Sequence, residues 1–439
     1  MRYVLLVTYY FPPAGGAAVQ RFLKFARYLP AYDWRPVVLT VRSEDAAYPF
    51  RDEALEAEVP VEVPVFRTRT WDPYAAYARW LGQRKEEAVS VGFAGRPHQR
   101  WKERLARWIR ANLFLPDARV GWVPFALRAL PRLLRQYPIE AIVTTGPPHS
   151  THLIGYRAQR RYRLPWVADL RDPWTDVYYY EMLPMTRWAR RLDAWMERRV
   201  LAQAQARVVV TPTMQRTLQT KGLSAVCIPN GYDPADFEAS PPRATHDFWI
   251  TYAGSMGPTA NPEGLWKALV QLRASGLPIR VRLIGLIDAS VRQALMRHHL
   301  AEQVALLPFM PRRQVLPYLR ESALLLLVIN RTAGNAGIVT SKLYEYLGSG
   351  RPVLGIGPVQ GDAAAVLQET KAGKMFDYDD VEGIAAYLRR HYEAWAAGRP
   401  LPGALPTLAQ RYSRPYLAGE LAHLLEEVTR SVPCESAAS

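Results

Sequence analysis

Lys342 and Glu345 stand three residues apart, so a helix through them presents an ammonium and a carboxylate on one face. The ammonium would neutralise phosphate, and the carboxylate, one turn further along, would accept two hydroxyls of a ribose. The elements that must position them are legible on either side. Residues 323–329 form an unbroken apolar run of strand length, which the polar residues 330–335 end. Thr340 and Ser341 are capping residues for a helix that pairs Leu343 with Leu347 at i and i+4. Gly348 and Gly350 stop that helix, and Pro352 leads into a second apolar strand. A loop at the carboxyl end of a buried strand, running into a helix start, is where open α/β sheets hold ligands. The free amides and positive dipole end of the helix suit phosphate. Ser341, Lys342 and Glu345 thus describe a seat for a nucleoside diphosphate.

The run SKLYEYLGSGRPVL from Ser341 resembles the donor-site signature of family 4 glycosyltransferases, in the variant with Lys three residues before Glu. The resemblance implies the α/β GT-B fold: two Rossmann-like, doubly wound domains facing a central cleft. It makes Glu345 the ribose-binding residue and turns Ser341 and Lys342 toward the diphosphate. The commoner pattern has another Glu where this chain has Gly337. FPPAGGAAVQR is similar to the glycine loop that opens the acceptor domain, with Gly15 on the acceptor side and Gly16 toward the donor. PNGYDPADF, residues 229–237, is similar to the family's passage between domains. Gly254 and Ser255 follow the first strand of the second domain and belong beneath the phosphates. Many relatives carry a basic residue soon after that glycine; Asn261 stands there here, and Arg331 is the candidate to supply the charge.

In the first half, strands at 140–144 and 166–170 end in the segments GPPHSTHLIG and RDPWTD. His149 is the leading polar candidate beside the reacting sugar. Asp172 is the better placed base for an acceptor hydroxyl. Asp169 and Arg171 either face the acceptor or form an internal salt bridge and helix cap. His149 and His152 are spaced for a metal pair, but no third ligand is suggested nearby, so no metal is expected. Asp377, Tyr378 and Asp379 spell a DxD that reads as helix capping. Gly355, Gly357 and Gly361 miss the dinucleotide spacing. No cofactor is implied, the nucleotide sugar being a substrate.

At 439 residues the chain is long for one core. The alternation places an acceptor domain at 1–235, a nucleotide-sugar domain at 245–405, a Pro-rich boundary at 240–243, and a helix at 406–430 that returns to the first domain. No apolar run approaches a membrane span. Two cysteines are too few for a disulfide framework, which points to the cytoplasm. The net charge of +16 is concentrated: residues 1–235 hold 35 Lys and Arg against 21 Asp and Glu. Two segments gather Trp with Arg on amphipathic patterns. Residues 99–113 carry Trp101, Leu105, Trp108, Ile109, Asn112 and Leu113; residues 187–201 carry Trp188, Leu192, Trp195 and Met196. Such helices either lie in the headgroup layer of an anionic inner membrane or pack their apolar face on the core and solvate the basic one. No nucleic-acid motif accompanies the charge, so nucleic acid is not an expected partner.

The resemblance implies a retaining, metal-independent glycosyltransferase, and the basic first half with its two Trp-bearing segments fits a lipid-linked or saccharide acceptor in surface polysaccharide assembly. A GT-B epimerase acting on the nucleotide sugar, and a silent nucleotide- or membrane-binding GT-B module, are the alternatives.

Overall fold

Strands buried on both faces read as continuous Val, Leu and Ile runs, and the central strands of both sheets, such as Leu324–Val328, are of this kind. The computed structural model describes residues 1–46, 48, 50–71, 101–177, 180–238 and 247–430. The expected boundary at 240–243, the first two residues of the 99–113 segment, and Cys434 with the tail lie outside them.

The first unit comprises Met1–Pro229 and the chain from Leu417 on. Its strands are β1 (Arg2–Val7), β2 (Trp34–Val41), β3 (Val65–Thr68), β4 (Ile139–Gly146), β5 (Trp166–Leu170), β6 (Ala206–Val209) and β7 (Val226–Cys227). They form one parallel sheet in the order β3-β2-β1-β4-β5-β6-β7. The second unit, Asn230–Tyr416, holds β8 (Trp249–Ala253), β9 (Arg280–Ile284), β10 (Val304–Leu307), β11 (Leu324–Val328), β12 (Val353–Ile356) and β13 (Gly373–Phe376). Their order is β10-β9-β8-β11-β12-β13, again all parallel. In each unit the order reverses between the first and fourth strands, so the loops after β1 and β4, and after β8 and β11, flank the crevice where doubly wound sheets bind ligands.

The division of the chain differs from the expected limits. Residues 230–238 belong to the second unit: Tyr232 exchanges backbone hydrogen bonds with Tyr412 and Arg414, and the rings of Tyr232 and Phe237 pack on Gly348. The segment to Tyr416 stays with that unit, while Leu417, Ala418, Leu421 and Leu425 of the helix Arg414–Arg430 enter the first unit's core. The helix Val123–Gln136 and strand β3 were not expected from the sequence pattern, the helix admitting Pro131 in its interior. The helix at the donor motif is Ser341–Ser349, with Thr340 in the N-cap position but making no side-chain cap. Gly350 closes it in the left-handed conformation at φ 69°.

The core is tightly fitted around the β4–β5 pair. A methyl added at Gly155 would lie 2.2 Å from Trp166 Nε1, and that indole is fixed by donating to Thr144 Oγ1 at 2.8 Å. Gly155→Ala is therefore expected to destabilise the first unit by about 1–3 kcal/mol. Gly257→Ala, with open space at its Cβ, should stay within about 0.5 kcal/mol of the parent. Thermal denaturation of the two variants checks the difference.

Candidate functional site

In the second unit β11 is fully buried and delivers the chain to the loop 329–340, and the helix Ser341–Ser349 starts where that loop ends. The first-turn amides of any helix lack intrahelical acceptors. Here the cap residue accepts only from the Leu343 amide, through its carbonyl, while Thr340 Oγ1 makes no cap and is buried without a partner. Lys342 leaves this helix toward the end of β8. Its Nζ lies 5.2 Å from the centre of the Tyr252 ring, and its Cε occupies the space beside Gly254, where a Cβ would come within 2.3 Å. Gly254 sits at φ +131°, a region that side chains rarely enter, and donates its amide to Ile284 at 2.8 Å. Burial lowers the Lys342 pKa, and the nearby Glu345 pulls it the other way.

Glu345 is half-buried one turn along and accepts from Arg312 Nε at 2.7 Å through Oε1. Arg312 also donates to Asp236 at 2.7 Å. Burial works against the charge on Arg312, and the two carboxylates outweigh it, holding its pKa above the ordinary guanidinium value. Arg312 sets the Glu345 carboxylate, yet it begins a helix thirty-odd residues upstream and carries no motif. Ser341 and Ser255 are exposed, the latter accepting from the Tyr252 hydroxyl at 2.6 Å through its carbonyl. Arg331 is engaged elsewhere: its guanidinium pairs with Asp379 at 2.7 Å and lies 5.0 Å from the Tyr378 ring centre. Asn261 accepts from Trp266 Nε1 at 2.8 Å. Of the DxD, Asp379 is thus an ion-pair partner, and the helix that follows is capped by Asp380.

In the first unit the loop after β1 runs to Gly16, the N-cap of the helix Ala17–Tyr28, at φ 88° with open space before it. Gly15 is held by its amide to the Phe50 carbonyl at 2.9 Å, with the Phe50 ring against its Cα. Asp169 is buried and accepts from Arg21 Nη2 at 2.7 Å, Arg21 Nε at 3.0 Å and Thr145 Oγ1 at 2.8 Å. It is an internal ion-pair partner. Arg171 donates to Thr145 Oγ1 at 3.1 Å, to the Ala18 carbonyl at 3.0 Å and to the Pro147 carbonyl. Asp172, next in the chain, is exposed.

The His149 ring is buried and stacks on Trp174 at 5.1 Å between ring centres and 9° between planes. His152 shares its Nδ1 with Thr144 Oγ1 at 2.8 Å. His149 Nδ1 and His152 Nε2 have no partners and both face the Cα of Gly146. No third His, Cys, Asp or Glu joins them among the described residues. Burial, and for His149 also its neighbours His152 and Arg171, pushes the pKa of His149 well below the usual value, and burial beside Arg171 pushes that of His152 down to about 3. Both imidazoles are neutral near pH 7. Asp117 positions the loop, accepting from the Ser150 amide and hydroxyl, each at 2.8 Å, and burial raises its pKa. Nothing in the sequence spacing of Asp117 announces the role.

The two Trp- and Arg-bearing helices, Trp101–Leu113 and Arg187–Leu201, are neighbours, tied by Asn112 to Pro184 O at 2.9 Å and Thr186 N at 2.7 Å. Their indoles point outward: Trp101 is 67% exposed, Trp188 79% and Trp195 56%. In Arg187–Leu201 the buried stripe mixes the apolar Ala189, Val200 and Leu201 with the acids Asp193 and Glu197, and Met196 packs against the core while Trp188, Leu192 and Trp195 do not. No described helix is long and apolar enough to cross a membrane.

Two parallel doubly wound sheets, each with its ligand loops at the strand-order reversal, give the chain the GT-B fold. Residues 15–231 match the model of the glycosyl transferase 4-like domain. Among solved structures the chain is similar to sucrose-phosphate synthase of Thermosynechococcus elongatus, at 14% identity, TM-score 0.62, with 98% of this chain and 100% of that one covered. It is similar also to HepE of Anabaena in complex with UDP and glucose, at 14% identity, TM-score 0.59, covering 97% and 100%. A UDP-N-acetylglucosamine 2-epimerase-like protein of Listeria monocytogenes gives 11% identity and TM-score 0.55, covering 99% and 98%. At these identities the likeness is one of fold. No curated protein matches the chain in sequence.

The buried histidines fix a pH dependence. His152 titrates near 3 folded and near 6.5 unfolded, so between those values the unfolded chain binds more protons and stability falls as pH falls. The loss is on the order of 5 kcal/mol for His152 by pH 3. Urea midpoints should drop through this window, and His152→Gln should flatten the slope.

Proposed function

We propose that this protein is a glycosyltransferase that moves a sugar from a nucleotide-sugar donor, held by Gly254, Ser255, Ser341, Lys342 and Glu345, to a lipid-linked or saccharide acceptor in surface polysaccharide assembly. The observation that carries the reading is the convergence on one strand end of the Lys342 ammonium, the uncapped helix start and the Glu345 carboxylate. In transfer, the bond from the anomeric carbon to the diphosphate oxygen breaks and its electron pair stays on the diphosphate. Lys342 and the helix amides stabilise that charge, which is the work a metal ion does in other sites. The acceptor oxygen bonds to the anomeric carbon on the face the diphosphate leaves, retaining configuration. The hydroxyl proton passes to Asp172, which reaches solvent and whose pKa desolvation raises against the charge of Arg171, whereas burial makes the His149 imidazole a weak base. The outward Trp and Arg of the 101–113 and 187–201 helices support an acceptor carried on an anionic membrane surface, as indoles and guanidinium groups belong together in the headgroup layer. Arg331 already pairs with Asp379 and is left out of the proposed donor contacts.

A thermal-shift screen of UDP, GDP, ADP and dTDP tests the donor seat. One nucleotide class should raise the melting temperature in a concentration-dependent way. The rise should vanish in Glu345→Ala and in Lys342→Met. No rise with any nucleotide at millimolar concentration removes the reading.

A further inference from the structure

The helix Arg187–Leu201 has its polarity reversed for a water-soluble surface. Its outer stripe is Trp188, Leu192 and Trp195, with Arg191 and Arg199 near the indoles, 6.0 and 5.6 Å from the ring centres. Its inner stripe carries two acids, Asp193 and Glu197, each 1% exposed. Isolated carboxylates are costly to bury, so these must have donors. Nearly all those donors come from the single loop that follows β5. Asp193 accepts from Trp174 Nε1 at 2.9 Å and from the Tyr180 hydroxyl at 2.7 Å. Glu197 accepts from the Thr175 hydroxyl at 2.6 Å and from Lys221 at 2.7 Å. Lys221 also reaches Thr175 at 3.0 Å and pairs with Asp176.

The loop 171–177 therefore has two anchors. Arg171 fastens its start to Thr145, Ala18 and Pro147. Trp174 and Thr175 fasten its other end to the inner stripe of the helix. Asp172 hangs exposed between them, and the ring of His149 lies flat against Trp174. A small rotation or translation of the helix moves Asp193 and Glu197, hence Trp174 and Thr175, hence the carboxylate of Asp172. The opposite face of the same rigid element is the Trp and Arg stripe.

We infer that Asp193 and Glu197 are positioning residues for the 171–177 loop, and that through them seating of the 187–201 helix on an anionic lipid surface sets the activity of the acceptor side. This rests on the glycosyltransferase reading above. The occupant is an anionic bilayer and not a protein groove because exposed indoles interleave with guanidinium groups on a helix in the more basic half of the chain. Regulation enters because the carboxylates that accept from the loop and the lipid-facing side chains share one helix.

The test uses the full chain, the sugar nucleotide of the class that gives the thermal shift, and release of nucleoside diphosphate to water as the assay. In that assay water takes the acceptor's place and gives its proton to Asp172. Vesicles of phosphatidylglycerol and phosphatidylcholine should raise the rate several-fold, chiefly in kcat, and phosphatidylcholine vesicles alone should not. Asp193→Asn, Glu197→Gln and the milder Trp174→Phe, which removes only the indole donor to Asp193, should still sediment with anionic vesicles. They should keep the nucleotide thermal shift but lose the rate response. Trp188→Ala with Trp195→Ala should lose both sedimentation and response. A wild-type rate unchanged by vesicles that it binds overturns the coupling. So does a full vesicle response in Trp174→Phe and Glu197→Gln. A failure of the donor reading would show separately, as the absence of any nucleotide shift in the wild type.

Discussion

One buried ion pair organises the ligand end of the first unit. Arg21 and Asp169 are both excluded from water, and each of the three guanidinium nitrogens is employed in a hydrogen bond. Nε and Nη2 take the carboxylate, Nη2 also takes the Ile228 carbonyl at 2.9 Å, and Nη1 takes the Pro229 carbonyl at 2.7 Å. A buried pair of this kind adds little net stability, since desolvation offsets most of the attraction. Its value is geometric. It fixes the helix that starts at Gly16 to the end of β5 and to the chain leaving β7, three places distant in sequence that must meet where the strand order reverses. Thr145 joins Asp169 to Arg171, so the glycine loop, the histidine loop and the 171–177 loop all hang from this one set of hydrogen bonds.

Most of the sheet was legible because buried parallel strands announce themselves as apolar runs. Residues 166–170 fall where the pattern put them, and the helix at 187–201 matches its periodicity. Strand β3 and the helix Val123–Gln136 were not legible, since Pro64 and Pro60 crowd the one and Pro131 interrupts the other. The domain limits slipped because the segment after Pro229 is short and polar and its assignment depends on pairing with Tyr412, far along the chain.

The candidate site was readable where its residues are local. Lys342 and Glu345 are one helical turn apart, so spacing alone placed them together. Arg312, Asp117 and Asp193 were invisible for the opposite reason: each acts on a partner brought near only by the fold. The 187–201 helix shows a further limit. Periodicity reveals stripes, not which stripe faces inward, and hydrophobicity would have placed Trp188 and Trp195 inside. The structure puts the carboxylates inside because the loop supplies their donors.

The contact between Lys342 and Gly254 makes two residues from different elements behave as one. The ammonium reaches the strand end because residue 254 has no side chain, so the absence of atoms at one position is what gives the charge its address at the other. The broader and stiffer guanidinium of arginine would need more room than that gap provides, although it carries the same charge. In a mutational survey of this protein a residue with nothing to donate would then score as though it were part of the chemistry. A glycine can be an electrostatic determinant.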